Sequence, residues 1–413
     1  MSFVIAIRPR LLVSCYTSLN LLLRQPQYQA ISQRNLVYVS KWRQQLIRPE
    51  HTNLLVHQIS RRTIFQDVVP AFLFPPAVFV GLVFTLWFYK CCMMILFQNK
   101  IIYMPSMPPF SRQEKLLDYA NTCFPVVWKE EQILSTDGTK LVLCVGQMRA
   151  EDKQPLAGGQ QRIIVLYLQG NASSTPPRLP GISRVIQSAT PSLKDGPRAF
   201  EFEVVALSYR GFWKSRGHAS QKGIERDTEA LMEWVQYTYA GRDRNMTVPV
   251  VLWGQSIGAG IAVNAAARYL SRSQPPGLRG LLQIHGMILE TPFCSIRTML
   301  TALYPQNWLP YRYLWPFLRN WWESEEAFRT IATVNKARSK FPVYVVVAGK
   351  DEVVPREQPE RLMALCRELG FHSTWKEIPG ALHTEVMIRA DGRKALADAL
   401  RGIAVTKRQE THI

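Results

Sequence analysis

A chain of 413 residues, 47% of them hydrophobic, is long enough to bury one large core, and roughly 300 residues suit a single α/β domain behind an N-terminal extension. The formal charge of +19 invites nucleic acid as a partner, but much of it falls in the extension. The rest forms no compact basic stripe with stacking aromatics, so no nucleic-acid partner is expected and an anionic membrane surface accounts better for the charge.

Residues 1–66 carry nine Lys or Arg against the single acid Glu50, a local charge of +9 − 1 = +8. This Arg-rich, acid-poor, Ser-containing stretch has the character of a mitochondrial presequence, and positive-inside bias beside a signal anchor in the ER explains the same charges, so both readings stay open. Residues 68–89 follow as 22 uncharged residues, which at about 1.5 Å per residue can cross a hydrocarbon core of about 30 Å. One transmembrane helix is expected, with Trp87, Tyr89 and Lys90 as an interfacial anchor at its far end. Pro70, Pro75 and Pro76 must then lie near the membrane surface or kink the helix. Cys91-Cys92 behind it is an S-acylation candidate on a cytosolic face, or apolar filler. The seven cysteines are odd in number and scattered, without Cys-x-x-Cys or Cys/His spacing. Neither a disulfide framework nor a zinc site is indicated, and no metal or cofactor is expected.

The run expected as the third strand, residues 163–168, is followed by Gln169-Gly170-Asn171-Ala172. In an acyl-transfer enzyme this loop supplies one backbone donor to the oxyanion, and Asn171 is the candidate because Gly170 lets the backbone approach the substrate. Further on, Asn245-Met246-Thr247 is a glycosylation sequon, usable only in a lumenal protein. Asn171-Ala172-Ser173 is a second sequon, but a glycan there would block the site.

The apolar run Val250-Val251-Leu252-Trp253 enters Gly254-Gln255-Ser256-Ile257-Gly258 and then an alanine-rich helix over residues 257–270. This reads as a nucleophile elbow: the strand-to-helix turn is so sharp that Gly254 and Gly258 are needed on either side of Ser256. The helix N-terminus points at Ser256, and the N–H of Ile257 is the second oxyanion donor.

An acid and then a histidine should follow, each after a later strand. Residues 342–348 form a β-branched apolar run ending in Gly349-Lys350-Asp351, which makes Asp351 the acid, with Glu290 at the end of Met287-Ile288-Leu289-Glu290 as its alternative. Residues 373–378 form the next strand pattern and lead to His383, the base. His285 and His372 precede their strands and so belong to the wrong edge of a parallel sheet, and His218 lies upstream of Ser256. Between Glu290 and Pro342 lies an insertion rich in Tyr and Trp, expected as a cap whose aromatics line an acyl-chain pocket or fill a core of their own.

Leu166 to Ala172, Ser208-Tyr209-Arg210-Gly211, the elbow, Leu289-Glu290-Thr291-Pro292-Phe293, Gly349 to Pro355 and His383 together resemble the membrane-anchored ABHD-type serine hydrolases of the α/β-hydrolase superfamily. The resemblance covers residues 101–403. It implies an α/β-hydrolase fold, with a mostly parallel eight-stranded sheet and helices on both faces, and hydrolysis of acyl esters or thioesters, with lipids and palmitoylated proteins as substrates. The chain then divides into a basic segment (1–66), an anchor (67–97), a catalytic domain (101–403, cap about 295–335) and a tail (404–413). Two departures stand out: Gln169 replaces the histidine of the family's His-Gly-Asn, and bulky Phe212 and Trp213 follow Tyr209-Arg210-Gly211. Gln169 can still order the loop by hydrogen bonding. An aminopeptidase or amidase on the same triad, and a non-catalytic membrane scaffold, are the other readings.

Overall fold

The computed structural model describes residues 71–149, 161–190, 200–240, 247–272, 282–334 and 341–411. The basic segment 1–66, the beginning of the apolar run through Pro70, and Asn245-Met246 of the sequon lie outside the described residues. The described residues divide between Phe84 and Thr85 into two units.

Helix α1, Phe74–Leu96, is long and apolar enough to cross a membrane, and none of its residues is buried. It runs seven residues past the uncharged run that ends at Tyr89, within the expected anchor 67–97, so Lys90 lies inside the helix rather than at its terminus. The residues beyond Lys90, Cys91 to Leu96, include no Gly or Pro, which leaves nothing to stop the helix there. Pro75 and Pro76 fall in its first turn, where no intrahelical N–H bond is lost.

The second unit continues through α2 (Gln98–Tyr103) and the single turn α3 (Ala120–Cys123) into an eight-stranded sheet. Its strands are β1 (Val126–Leu134), β2 (Lys140–Met148), β3 (Gln161–Leu168), β4 (Phe200–Ser208), β5 (Val248–Gln255), β6 (Leu282–Glu290), β7 (Val343–Ala348) and β8 (Ser373–Ile378), in the spatial order 1-2-4-3-5-6-7-8. The β1–β2 and β2–β4 pairs are antiparallel and the other pairs parallel. The remaining helices are α4 (Leu179–Ala189), α5 (Gln221–Ala240), α6 (Ile257–Ser271), α7 (Ile296–Leu303), α8 (Ser324–Val334), α9 (Glu357–Glu368) and α10 (Ala390–Thr411).

Because strand side chains alternate, the apolar runs fill two cores. Ile164, Leu166, Leu168, Val250 and Leu252 pack with α5, α6, α8 and α9, while Ile163, Val165, Tyr167, Val251 and Trp253 pack with α4 and α10. Helix α10 runs on to Thr411 through the stretch predicted as a tail, and it buries Ile403 and Ala404. His285 does not precede its strand: β6 starts at Leu282, which puts His285 inside it and buries it. Pairing with β5 draws the polar Gln283 and the small Gly286 into the strand, and the apolar pattern could not signal that.

In the predicted cap, Trp322 and Phe328 are buried and belong to the core beside α6. Trp308, Tyr313 and Phe317 lie on the surface instead. Phe212 and Trp213, the bulky departures, are fully buried, and the indole of Trp213 donates to the carbonyl of Glu114 at 2.8 Å.

Candidate active site

Strand β5 delivers Ser256 at the carboxyl edge of the sheet, where open parallel sheets place their ligands. Ser256 is the N-cap of α6 with φ 53° and ψ −118°, a left-handed backbone that a serine adopts only when its surroundings force it. Its N–H is held by the carbonyl of Glu290 at 2.8 Å. The flanking glycines are required by contact. A Cβ on Gly254 would lie 2.2 Å from the carbonyl oxygen of Gly258, and one on Gly258 would lie 2.0 Å from that of Leu168. Ala172, Ser173 and Thr291 also have positive φ, so backbone strain gathers where β3, β5 and β6 end.

The acid and the histidine arrive on two loops that are stitched together. The N–H of Gly349 bonds the carbonyl of Ile378 at 2.9 Å, and that of Lys350 bonds the carbonyl of Ala381 at 2.8 Å. These bonds set Asp351 against His383. Nδ1 of His383 lies 2.8 Å from Oδ2 and 3.0 Å from Oδ1 of Asp351, while its Nε2 lies 2.9 Å from Oγ of Ser256. Oδ1 of Asp351 also accepts from the N–H groups of Val353 and Val354 at 2.9 and 2.8 Å, which fixes the carboxylate. His383 is buried, and Ser256 stays partly exposed, within reach of a substrate.

The β3 loop lies against the elbow. A Cβ on Gly170 would be 3.6 Å from Cβ of Ser256, and Asn171 is the next residue. Ile257 opens α6, so its N–H is among those the helix cannot bond internally. Gln169 is buried and holds the loop from beneath: its Oε1 accepts from the hydroxyl of Thr175 at 2.9 Å, and its carbonyl accepts from the hydroxyl of Tyr209 at 3.0 Å.

Glu290, the alternative acid, bonds other partners. Its carboxylate accepts from the indole of Trp253 at 3.2 Å and from Nε2 of Gln255 at 3.0 Å. Burial pushes its pKa up to about 6 against the opposing pull of these donors, Arg178 and His383. His218 and His372 are exposed and lie on other loops.

Sequence reasoning missed the brace under the site. Arg178 donates through Nη1 to Oε1 of Gln255, and through Nη2 to the carbonyls of Asn171 and Ala172 at 3.3 and 3.2 Å. The backbone after α1 joins in: the N–H of Ala172 bonds the carbonyl of Tyr103 at 2.9 Å, and that of Ser173 bonds the carbonyl of Met107. Only Gln255, inside the pentapeptide, carried a local signal.

A family model described as alpha/beta hydrolase fold matches residues 200–387. The chain is 28% identical to protein bem46 of Schizosaccharomyces pombe over 58% of its own length and 68% of that protein's. It is 25% identical to the alpha/beta hydrolase domain-containing protein WAV2 of Arabidopsis thaliana over 72% and 84% of the two lengths. With the lysophosphatidylserine lipase ABHD12 of Danio rerio it shares 29% identity over half of its own length and 47% of that protein's. Among solved structures, an alpha-beta hydrolase from Vibrio vulnificus superimposes with a TM-score of 0.50 at 18% identity, covering 75% of this chain and 92% of that one, a likeness of fold alone. The chain has an α/β-hydrolase fold and is similar over part of its length to ABHD-type proteins, with one apolar N-terminal helix that fits membrane anchoring.

Proposed function

We propose that the protein is a membrane-anchored serine hydrolase that cleaves acyl lipids through an acyl-enzyme. The observation that carries this is the hydrogen-bonded series from Ser256 Oγ to His383 Nε2 at 2.9 Å and from His383 Nδ1 to Asp351 Oδ2 at 2.8 Å. Asp351 holds the imidazole with Nε2 facing the hydroxyl. His383 takes the hydroxyl proton as Oγ attacks the acyl carbonyl, and the N–H groups of Ile257 and Asn171 receive the charge that develops on oxygen. Collapse expels the alcohol, which takes the proton from Nε2. Water then attacks the acyl-serine by the same proton route in reverse and releases the fatty acid.

The activity that names the zebrafish relative, a lysophosphatidylserine lipase, favours a single-chain acyl lipid as substrate. A thioester, as in a palmitoylated protein, presents the same carbonyl with a better leaving group, and the site chemistry admits it. The apolar helix α1 supports a single-pass anchor that keeps the enzyme beside such substrates.

The test is fluorophosphonate labelling of the membrane fraction, with hydrolysis of a lysophospholipid, a palmitoyl thioester and a peptide amide followed in parallel. Wild type is expected to label and to cleave the lysophospholipid. Ser256→Ala is expected to remain unlabelled and to turn over about 10⁴-fold more slowly, or worse. Labelling that persists in Ser256→Ala removes Ser256 as the nucleophile, and turnover of the amide alone removes the lipid reading.

A further inference from the structure

We propose that the cap surface bearing Trp308, Tyr313 and Phe317 is a second membrane contact, seated in the headgroup layer of the same bilayer that α1 enters. This rests on the reading of α1 as a membrane anchor.

The cap is fastened to the last turns of α1 at several heights. The ring of Trp308 lies 5.8 Å from that of Trp87. Nζ of Lys90 sits 4.2 Å from the ring centroid of Tyr311 and 5.7 Å from that of Tyr304. At the end of the helix, Arg319 donates to the carbonyls of Ile95 and Leu96 at 3.0 and 3.1 Å, a cation on the helix terminus that favours one. Gln98 donates to the carbonyl of Phe317 at 3.0 Å. The cap therefore cannot lie at a different depth from this part of α1.

That depth follows from the sequence of the helix. Lys90 is the first charge after the apolar run, so it marks the boundary with the headgroups. Trp87 stands three positions earlier, about 4.5 Å further into the apolar stretch, and Trp308 is beside it. Trp308 is nonetheless 66% exposed, with Tyr313 at 54% and Phe317 at 57%. Large aromatics with a polar tip are the side chains that a bilayer interface holds best.

Charge points to the same occupant. Residues 291–322 contain Arg297, Arg312 and Arg319 and no acid, and residues 85–113 contain Lys90, Lys100 and Arg112 and no acid. Two stretches far apart in sequence, brought together here, are both purged of negative charge, as a surface facing anionic lipid requires. A protein partner or a second copy would not demand the same bias from both.

The test uses the full chain in vesicles of phosphatidylcholine and phosphatidylserine whose acyl chains are brominated just below the glycerol, with tryptophan quenching as the readout. Wild type, Trp308→Phe and Trp87→Phe are compared. Loss of part of the quenched fluorescence in both variants is the expected result. Loss in Trp87→Phe but not in Trp308→Phe overturns the proposal, leaving α1 in the bilayer and the cap in water or against protein. Loss in neither variant overturns the anchoring of α1 and the proposal with it.

Discussion

At Glu290 a carboxylate is fully buried with two neutral donors and with Arg178 close enough to act on it electrostatically. Its pKa of about 6 in the folded chain, against 4.5 when free, means that the folded state holds the proton more tightly than the unfolded one. Folding is therefore penalised as this group ionises: the cost is absent below pH 4.5, grows between 4.5 and 6, and levels off at roughly 2 kcal/mol. Thermal unfolding of the detergent-solubilised protein should show Glu290→Gln gaining on wild type by about that amount across this window. A gap between the two that does not change with pH contradicts the assignment. Arg178 belongs to the same brace and joins the elbow to the β3 loop, the proposed oxyanion loop, through three acceptors. Arg178→Met frees the loop that carries Asn171, and a displacement of about 1 Å at a reacting centre costs up to about 10²-fold in rate. On a soluble ester, the turnover rate should drop roughly 10- to 100-fold while KM changes little. Turnover as fast as that of wild type shows that the loop is held without Arg178.

Among the elements, the elbow was legible in the sequence because its backbone admits so few residue types. Gly254 and Gly258 are dictated by contacts shorter than any Cβ tolerates, so they appear around Ser256 as a local pattern. Gly258→Ala drives a methyl into the carbonyl of Leu168, where only backbone can yield. We expect a loss of about 1–3 kcal/mol or more, and a fall in fluorophosphonate labelling as the β3 loop is pushed from Ser256. Retention of both denies the close approach. The order of acid and histidine was legible because β7 is short, buried and apolar and each residue follows its strand within a few positions. The β1–β2 hairpin escaped because β1 is an edge strand whose middle, Lys129-Glu130-Glu131-Gln132, shows no apolar alternation; the signals for it were the turn residues Asp137-Gly138 and the apolar run from Leu141 to Val145 in β2. Arg178 escaped because its partner Gln255 is 77 residues away. The buried pair of Arg210 and Asp227 is of the same non-local kind. Asp227 takes the N–H, Nε and Nη2 of Arg210, and the guanidinium reaches on to Asp137 in the β1–β2 turn, which ties β4 to α5 and to that hairpin. Asp227→Ala leaves the buried guanidinium of Arg210 to Asp137 and should cost up to about 3 kcal/mol by denaturant unfolding, whereas Arg210→Met/Asp227→Leu should cost less than the single change. A double variant as unstable as Asp227→Ala would mean that the pair is worth more than its packing.

For the whole molecule the question is whether anchoring and catalysis are separable. The proposed catalytic residues and both cores belong to the unit that begins at Thr85, while the apolar residues 74–84 belong to the other. Their contribution to insertion can be bounded: the Phe, Val and Leu side chains from Phe74 to Phe88 give about 0.3–0.6 kcal/mol each, summing to about 3–5 kcal/mol, and one Arg at the centre of a span costs about 2.5–3.5 kcal/mol. A single arginine is therefore survivable and two are not. Phe79→Arg/Leu82→Arg places both charges in the first unit, on exposed positions of α1. The double variant should leave the carbonate-resistant membrane fraction while its detergent extract still reacts with a fluorophosphonate at Ser256, as each single variant does from the membrane. If the double variant stays membrane-bound, α1 is not what holds the chain there; if it leaves and stops reacting, the site depends on the anchor for more than location.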